Sequence, residues 1–394
     1  MKILHLASND KFINHAYQSF ESVYPNANTV LIFEYEVLKS QYTPHPDFTI
    51  IGYKDILNPS FIKGLEQYDL VILHSIYPQF VSIVNRAAKS VKFVWIGWGF
   101  DYYRFIYKDE RDLYLPQTLE LFERTRQKQS LPRRILQILK QPYKKLLKMD
   151  EGSRIKAIEK CAAFSPVLED DYELVKQAGM IQNLPPFIDW NYGNLEQHWV
   201  KGFIGQRCDG DHILIGNSSD IENNHLDALE SLAKAGKGDG QNVIVPLSYG
   251  DGRATNDVLK KGEALFGDDF RALQNFMPIE DYIAIIKSCG FVIMNHKRQQ
   301  GIGTIVLMLY LGAKVFLQED CPSYHFFKRG GAEIFTVQEL ERSPDLLKLR
   351  LSEKDIQNNI TMLEKFWSKR AIDDKTRALV ETVTGIKNKE EKAA

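Results

Sequence analysis

The sequence predicts an α/β fold of two domains, each built on a parallel sheet. Three observations carry that expectation. Short apolar runs rich in Val and Ile alternate with longer stretches of helical period. The runs fall into two groups, at residues 1–100 and roughly 211–335. The length of 394 residues suits two domains at roughly 100–200 residues each. Parallel strands read as near-continuous apolar runs because helices cover both faces of the sheet, and repeated strand–helix alternation is how such sheets are written.

In chain order, the first group comprises residues 2–7, 29–33, 70–74 and 92–97. The second comprises 212–216, 242–247, 291–295 and 313–317. Most are bounded by Gly, Pro, Asn or Asp. Helical periodicity covers 224–235, 279–288 and 302–311. Between the groups lies a basic stretch, about 105–180, expected to be helical, and then Asn183-Leu184-Pro185-Pro186-Phe187. Two adjacent prolines continue neither a helix nor a central strand, so the interdomain linker is expected there. The expected division is 1–185 for the first domain, 186–352 for the second, and 353–394 for a last helix and a charged tail.

Hydrophobic residues make up 44% and charged residues 26%, a globular composition that excludes whole-chain disorder, collagen and coiled coil. Lys and Arg total 50 against 51 Asp and Glu, a balance that argues against a dedicated nucleic-acid binder. The balance is not local. Residues 124–160 hold twelve Lys and Arg against three acids, +9, leaving the rest of the chain at -10. Leu131, Ile135, Leu136, Ile138 and Leu139 recur there at helical spacing. A basic amphipathic helix suits an anionic membrane surface; the plainer reading is a solvated helix packed on its own domain. No run of ~18 apolar residues offers a membrane span. The N-terminus starts directly on a strand without the apolar stretch of a signal peptide. Cys161, Cys208, Cys289 and Cys321 are scattered singly, as free thiols of a reducing compartment are.

Four segments carry candidate chemistry. His296-Lys297-Arg298-Gln299-Gln300-Gly301-Ile302-Gly303-Thr304 follows one strand and opens a helix. A glycine-bearing helix start offers bare N–H groups and a positive dipole end, which suit a phosphate; Arg298 adds a charged fork and Thr304 a hydroxyl. Gly216-Asn217-Ser218-Ser219 ends another strand, where small residues let a ligand approach the backbone; the plainer reading is helix capping by Ser219, Asp220 or Asn223. Tyr249, at the end of a third strand, suits stacking on a base or sugar. In the first half, Trp95-Ile96-Gly97-Trp98-Gly99-Phe100-Asp101 delivers an acid beside bulky rings, an environment that raises a carboxyl pKa and suits a base. His5, Asp10, His15 and His74 also lie at or just after strand ends. Asp268-Asp269 is poorly placed for a metal anchor, and no essential metal or cofactor is expected. No GxGxxG follows the first strand, which disfavours a dinucleotide oxidoreductase.

On these motifs the chain resembles the bacterial 4-acetamido-4,6-dideoxygalactose (Fuc4NAc) transferases of enterobacterial common antigen synthesis. The likeness rests on "HLASND", "WIGWGFD", "ILIGNSSDIENNHLDAL", "VIVPLSYG" and "YIAIIKSCGFVIMNHKRQQGIGT". It implies a GT-B-like glycosyltransferase: two Rossmann-like domains with parallel sheets facing across a cleft, and a last helix returning to the first domain. It further implies a nucleotide-sugar donor, a dTDP-deoxyaminohexose, in the second domain. The implied acceptor is an undecaprenyl-diphosphate-linked oligosaccharide, met by the first domain at the inner face of the cytoplasmic membrane through residues 124–160. The expected donor-binding residues are Gly216, Asn217, Ser218, Ser219, Tyr249, Arg298, Gln300, Gly301, Gly303 and Thr304. The expected base is Asp101, then His74 or Asp10. Phe291 to Leu311 contains no Glu, which leans toward an inverting course. An epimerase of the same fold and a non-catalytic nucleotide-sugar or lipid-binding protein are the alternatives.

Overall fold

The computed structural model describes residues 1–34, 45–127, 150–275, 277 and 279–387. The chain forms two compact units. The first comprises residues 1–106, 130–194 and 367–394, and the second 107–129 and 195–366.

The sheet of the first unit contains β1 (Ile3–Ser8), β2 (Asn28–Phe33), β3 (Thr49–Ile51), β4 (Leu70–His74), β5 (Phe93–Ile96) and β6 (Ala163–Ser165). That of the second contains β7 (His212–Ile215), β8 (Val243–Pro246), β9 (Phe270–Leu273), β10 (Cys289–Met294), β11 (Lys314–Leu317) and β12 (Phe335–Thr336). The orders are β3-β2-β1-β4-β5-β6 and β9-β8-β7-β10-β11-β12, and every pairing is parallel. The two units thus repeat one doubly wound topology. In each, the order reverses beside the first strand, at β1/β4 and at β7/β10. Crevices at the carboxyl ends of such strands are where these sheets bind ligands.

The central strands β4, β5, β7, β8, β10 and β11 are buried almost throughout, as apolar runs covered on both faces must be. The sequence foresaw these and β1 and β2. It did not foresee the edge strands β3, β6, β9 and β12. At two to four residues, they are too short to show a period. β6 lies within the stretch expected to be helical.

Pro185-Pro186 is no linker. Phe164 N donates to Pro186 O (2.9 Å) and Ile188 N to Phe164 O (3.1 Å), so this segment lies along β6 as sheet edge, where a missing N–H is tolerated. The division between units falls after Asn194 instead. The expected helix at 353–384 is two helices, Glu353–Trp367 and Lys369–Thr384. Ser368 between them caps the second, its Oγ accepting from Ala371 N (3.2 Å). The second helix belongs to the first unit, with Trp190 Nε1 donating to Thr376 Oγ1 (2.9 Å) and Lys375 pairing with Asp189 (2.9 Å).

Residues 107–127 cross to the second unit. Helix Pro116–Gln127 docks there because Asp227 accepts from Gln117 N, Thr118 N and Thr118 Oγ1 at 2.7–3.0 Å. Most of the expected basic amphipathic surface, residues 128–149, lies outside the described residues. Among those described, no helix is long and apolar enough to cross a membrane. The four cysteines are buried free thiols.

Candidate active site

In the second unit, β7 and β10 leave the sheet at one level: Ile215 pairs with Ile293, and Gly216 N donates to Ile293 O (2.9 Å). Gly216 sits at φ +70°, and a Cβ there would meet His225 Nε2 at 2.4 Å and Asn223 Oδ1 at 2.8 Å. Only glycine fits this approach.

Asn223 organises the turn. Its Oδ1 accepts from Asn217 N (2.9 Å) and pairs with His296 Nε2 (2.8 Å), and its Nδ2 donates to Ser218 Oγ (3.1 Å) and Asp220 O (3.0 Å). Because Oδ1 can only accept, His296 carries its proton on Nε2. Burial lowers His296 to about 3, aided by Arg298, and lowers His225 to about 4. Both rings are therefore neutral near pH 7.

The ten residues expected to hold the donor come together here but divide by role. Ser219 N and Oγ donate to Tyr249 O (2.6 and 2.8 Å), and Ser218 Oγ bonds Asp220 Oδ2 (3.2 Å). Gly216, Ser218 and Ser219, expected as donor contacts, build the turn itself. Arg298 is also revised. Its Nε pairs with Glu222, and its Nη1 donates to Gln299 O (3.0 Å), so these nitrogens do not form a free fork for a phosphate.

The remaining residues face the site. Gly301, at φ +68°, caps helix Ile302–Tyr310, whose first N–H groups have no partner within the helix. Gly303 is exposed, and a Cβ there would meet nothing within 4 Å. Thr304 is half-buried on the same turn. Asn217 donates to Tyr249 Oη (3.2 Å), and Tyr249 is 52% exposed. Asn217 Oδ1, Asn295 Oδ1 and Gln300 Oε1 are buried with no partner among the described residues, as are both ring nitrogens of His225. An unsatisfied buried polar atom costs about 1–3 kcal/mol, so a cluster of them beside an open helix start marks a ligand site. Sequence reasoning did not single out Asn223, Asn224 and His225 as site residues; their adjacency before a helix was the available signal.

In the first unit, Asp10, His74 and Asp101 gather at the carboxyl edge around Tyr192. The Asp101 carboxylate, 3% exposed, accepts from Ile76 N (3.0 Å), Trp95 Nε1 (2.8 Å) and Trp98 N (2.8 Å). It ties the exits of β4 and β5 together.

His74 is equally committed. Asn28 Nδ2 donates to Glu21 Oε2 (2.7 Å) and Tyr24 O (2.9 Å), which leaves Asn28 Oδ1 to accept from His5 Nε2 (3.2 Å). His5 Nδ1 must then accept from His74 Nε2 (3.0 Å), and His74 Nδ1 from the Tyr192 hydroxyl (2.8 Å). Trp98 Nε1 donates to that same oxygen. Every proton in this chain has one consistent place. Burial lowers His5 to about 4 and His74 well below its usual range, so both are neutral links. Asp101 and His74, the first residues expected as base, are thus both engaged in bonds within the first unit. Asp10 is half-exposed and caps helix Lys11–Val23 through Oδ1 to Phe12 N (3.0 Å). His15, on that helix, rests edge-on against Phe12 at 6.0 Å.

Among the described residues no cluster of three His, Cys, Asp or Glu has metal-binding form. Asp269 pairs with Lys237 (2.6 Å) at an exposed turn.

Two parallel six-stranded sheets of this order, each reversing beside its first strand, make up a pair of Rossmann-like domains of the GT-B fold. Solved structures share the whole fold. HepE from Anabaena, in complex with UDP and glucose, is 12% identical, with a TM-score of 0.63 over 98% of this chain and 100% of that one. Sucrose-phosphate synthase from Thermosynechococcus elongatus is 9% identical, with a TM-score of 0.62 over 98% and 100%. A trehalose 6-phosphate synthase from Burkholderia multivorans is 8% identical, with a TM-score of 0.59 over 98% and 97%. More particularly, residues 199–343 match the family described as 4-alpha-L-fucosyltransferase, glycosyl transferase group 56. That segment contains the whole β7/β10 site.

Proposed function

We propose that the protein transfers a deoxyaminosugar of the Fuc4NAc kind from a nucleoside diphosphate, dTDP by resemblance, to a hydroxyl of a lipid-linked oligosaccharide. The observation that carries this reading is the pairing of two chemistries at the β7/β10 reversal. The open helix start at Gly301–Thr304 offers N–H donors to a diphosphate. The amide oxygens of Asn217, Asn295 and Gln300, lacking partners among the described residues, suit the hydroxyls of a sugar. A nucleotide-sugar needs both.

As the glycosidic bond breaks, negative charge gathers on the leaving diphosphate. Preorganised N–H groups and a helix dipole stabilise it without reorganising, and no metal is invoked. Arg298, held by Glu222, contributes at the rim of this turn. Tyr249 suits the flat face of the base or ribose. An inverting displacement needs a base for the acceptor's proton, and Asp10 takes that role as the half-exposed acid of the first unit's edge. A peripheral place on an anionic membrane, through residues 124–160, fits a lipid-linked acceptor.

The test is to incubate the full chain with dTDP-sugars, with and without lipid-linked acceptor, and follow products by mass spectrometry. Transfer predicts an acceptor heavier by one sugar residue and little donor loss without acceptor. Release of a free or epimerised sugar from donor alone, undiminished by acceptor, refutes it in favour of an epimerase.

A further inference from the structure

The turn that follows β4 carries buried polar atoms that the fold itself leaves unused. Ser75 is fully buried at φ +72°, pinned by its N–H on Ile96 O (2.8 Å), and its hydroxyl has no partner among the described residues. Gln79 is also fully buried, with neither Oε1 nor Nε2 paired among those residues. It is the second residue of helix Pro78–Arg86, whose N-cap Tyr77 supplies no side-chain bond. Arg154, from helix Glu151–Glu159, lies against the same turn. Its Nη1 donates to Ile76 O (2.8 Å), and its buried Nε is again without a partner among the described residues. A left-handed backbone strains a residue with a Cβ, and unpaired buried polar atoms cost stability. One such strain and four such atoms on a single turn mark a place that binds something.

The atoms select the ligand's chemistry. Donors dominate: the Gln79 amide N–H groups, Arg154 Nε–H, the Ser75 hydroxyl and the uncapped helix start, against the one carbonyl of Gln79. Arg104 lies close enough to act electrostatically on Arg154, so two guanidinium groups serve this corner. The neighbouring acids are committed. Asp101 accepts from three N–H groups, Ile76 N among them, and Glu151 pairs with Arg104 (2.8 Å). Converging donors, a guanidinium and a helix start at the carboxyl end of a strand suit an oxyanion. A phosphate that retains one hydroxyl also satisfies Gln79 Oε1.

We propose that Ser75, Gln79 and Arg154 form a phosphate-binding site in the first unit, additional to the β7/β10 site of the second. The proposal stands on these contacts and does not rest on the transferase reading above.

The experiment has two arms on the full chain. Calorimetry with inorganic phosphate and methyl phosphate reads a free phosphate. Flotation on phosphatidylcholine vesicles, with and without phosphatidic acid, reads a lipid-borne one. Saturable, phosphate-dependent binding in at least one arm is expected, and the arm that responds identifies the source. Ser75→Gly, Gln79→Leu and Arg154→Leu each weaken it roughly tenfold, the order of one lost hydrogen bond to a charged group. The melting temperature holds or rises in Ser75→Gly and Gln79→Leu, because one relieves the left-handed strain and the other removes an unpaired amide. No binding in either arm, or native affinity in all three variants, overturns the proposal. So does a lowered melting temperature in both Ser75→Gly and Gln79→Leu, which would mark these side chains as internal packing. Gly303→Glu runs in parallel: phosphate binding that survives there is expected, and binding lost there but kept in Ser75→Gly assigns the anion to the second unit and overturns the proposal.

Discussion

Gly216→Ala tests whether the turn after β7 is as tight as its geometry requires. The new Cβ would stand 2.4 Å from His225 Nε2 and 2.8 Å from Asn223 Oδ1. Neither neighbour yields easily: His225 is 2% exposed at a helix start, and Asn223 is fixed by four hydrogen bonds. A left-handed backbone costs a residue with a Cβ about 1–2 kcal/mol, and overpacking adds about 1–3 kcal/mol. The expected loss is thus about 2–5 kcal/mol. Gly240→Ala in the same unit is the control, because its φ is +74° but a Cβ there meets nothing within 4 Å. It should lose only the backbone part, about 1–2 kcal/mol. Urea unfolding of both variants at a common slope isolates the steric part. Affinity for dTDP should fall in Gly216→Ala alone, since displacing Asn223 moves Asn217. Equal destabilisation by the two variants, with equal nucleotide affinity, would refute the packing argument.

Four other outcomes follow from the same contacts. Asp101→Asn turns an amide N–H toward donors, and should cost about 2–4 kcal/mol by chemical denaturation while leaving dTDP affinity in the second unit unchanged. Asp10→Asn should abolish transfer, leave dTDP affinity intact in calorimetry and lower stability by no more than about 1 kcal/mol, the scale of a lost cap; full turnover would end its assignment as base. Glu222→Gln should weaken dTDP binding only a few-fold, and Arg298→Ala more strongly; unchanged binding in both would remove them from the site. His5 near 4 when folded, against about 6.5 unfolded, takes up its proton more readily in the unfolded chain. Stability is therefore full above pH ~6.5 and falls as pH drops toward 4, by about 3 kcal/mol for this residue. A urea midpoint flat from pH 7 to 4 would contradict its burial as a neutral link.

The central strands were legible because each is an unbroken apolar run, and the reversal-point turns because Gly, Asn and Ser cluster where those runs stop. The edge strands were not, since a strand such as Phe335–Thr336 has no period to read. Pro185-Pro186 misled for a related reason: proline excludes a central strand but not an edge. The crossing of residues 107–127 into the second unit depends on Asp227 and Asn224, more than a hundred positions away, and no local pattern records such a bond. Asn224 Oδ1 accepts from Leu115 N (2.9 Å) while its Nδ2 donates to Asn295 O (3.1 Å), which links that segment to the exit of β10. Among site residues, proximity was legible and role was not. Asp101 beside two tryptophans reads as a perturbed acid, and only three-dimensional contact reveals that those N–H groups are its partners. Arg298 reads as a phosphate fork until Glu222 is found beside it.

On the proposed function, a diphosphate sits on the helix start at Gly301–Thr304. The most direct measurement is dTDP binding by calorimetry to the native chain and to Gly303→Glu. A side chain at position 303 enters open space, and an acid in the first turn favours the helix dipole, so folding is untouched or slightly strengthened. The introduced carboxylate is expected to repel the diphosphate and lower affinity by a factor on the order of ten to a hundred, with the melting temperature held. Native-like dTDP affinity in Gly303→Glu would contradict it.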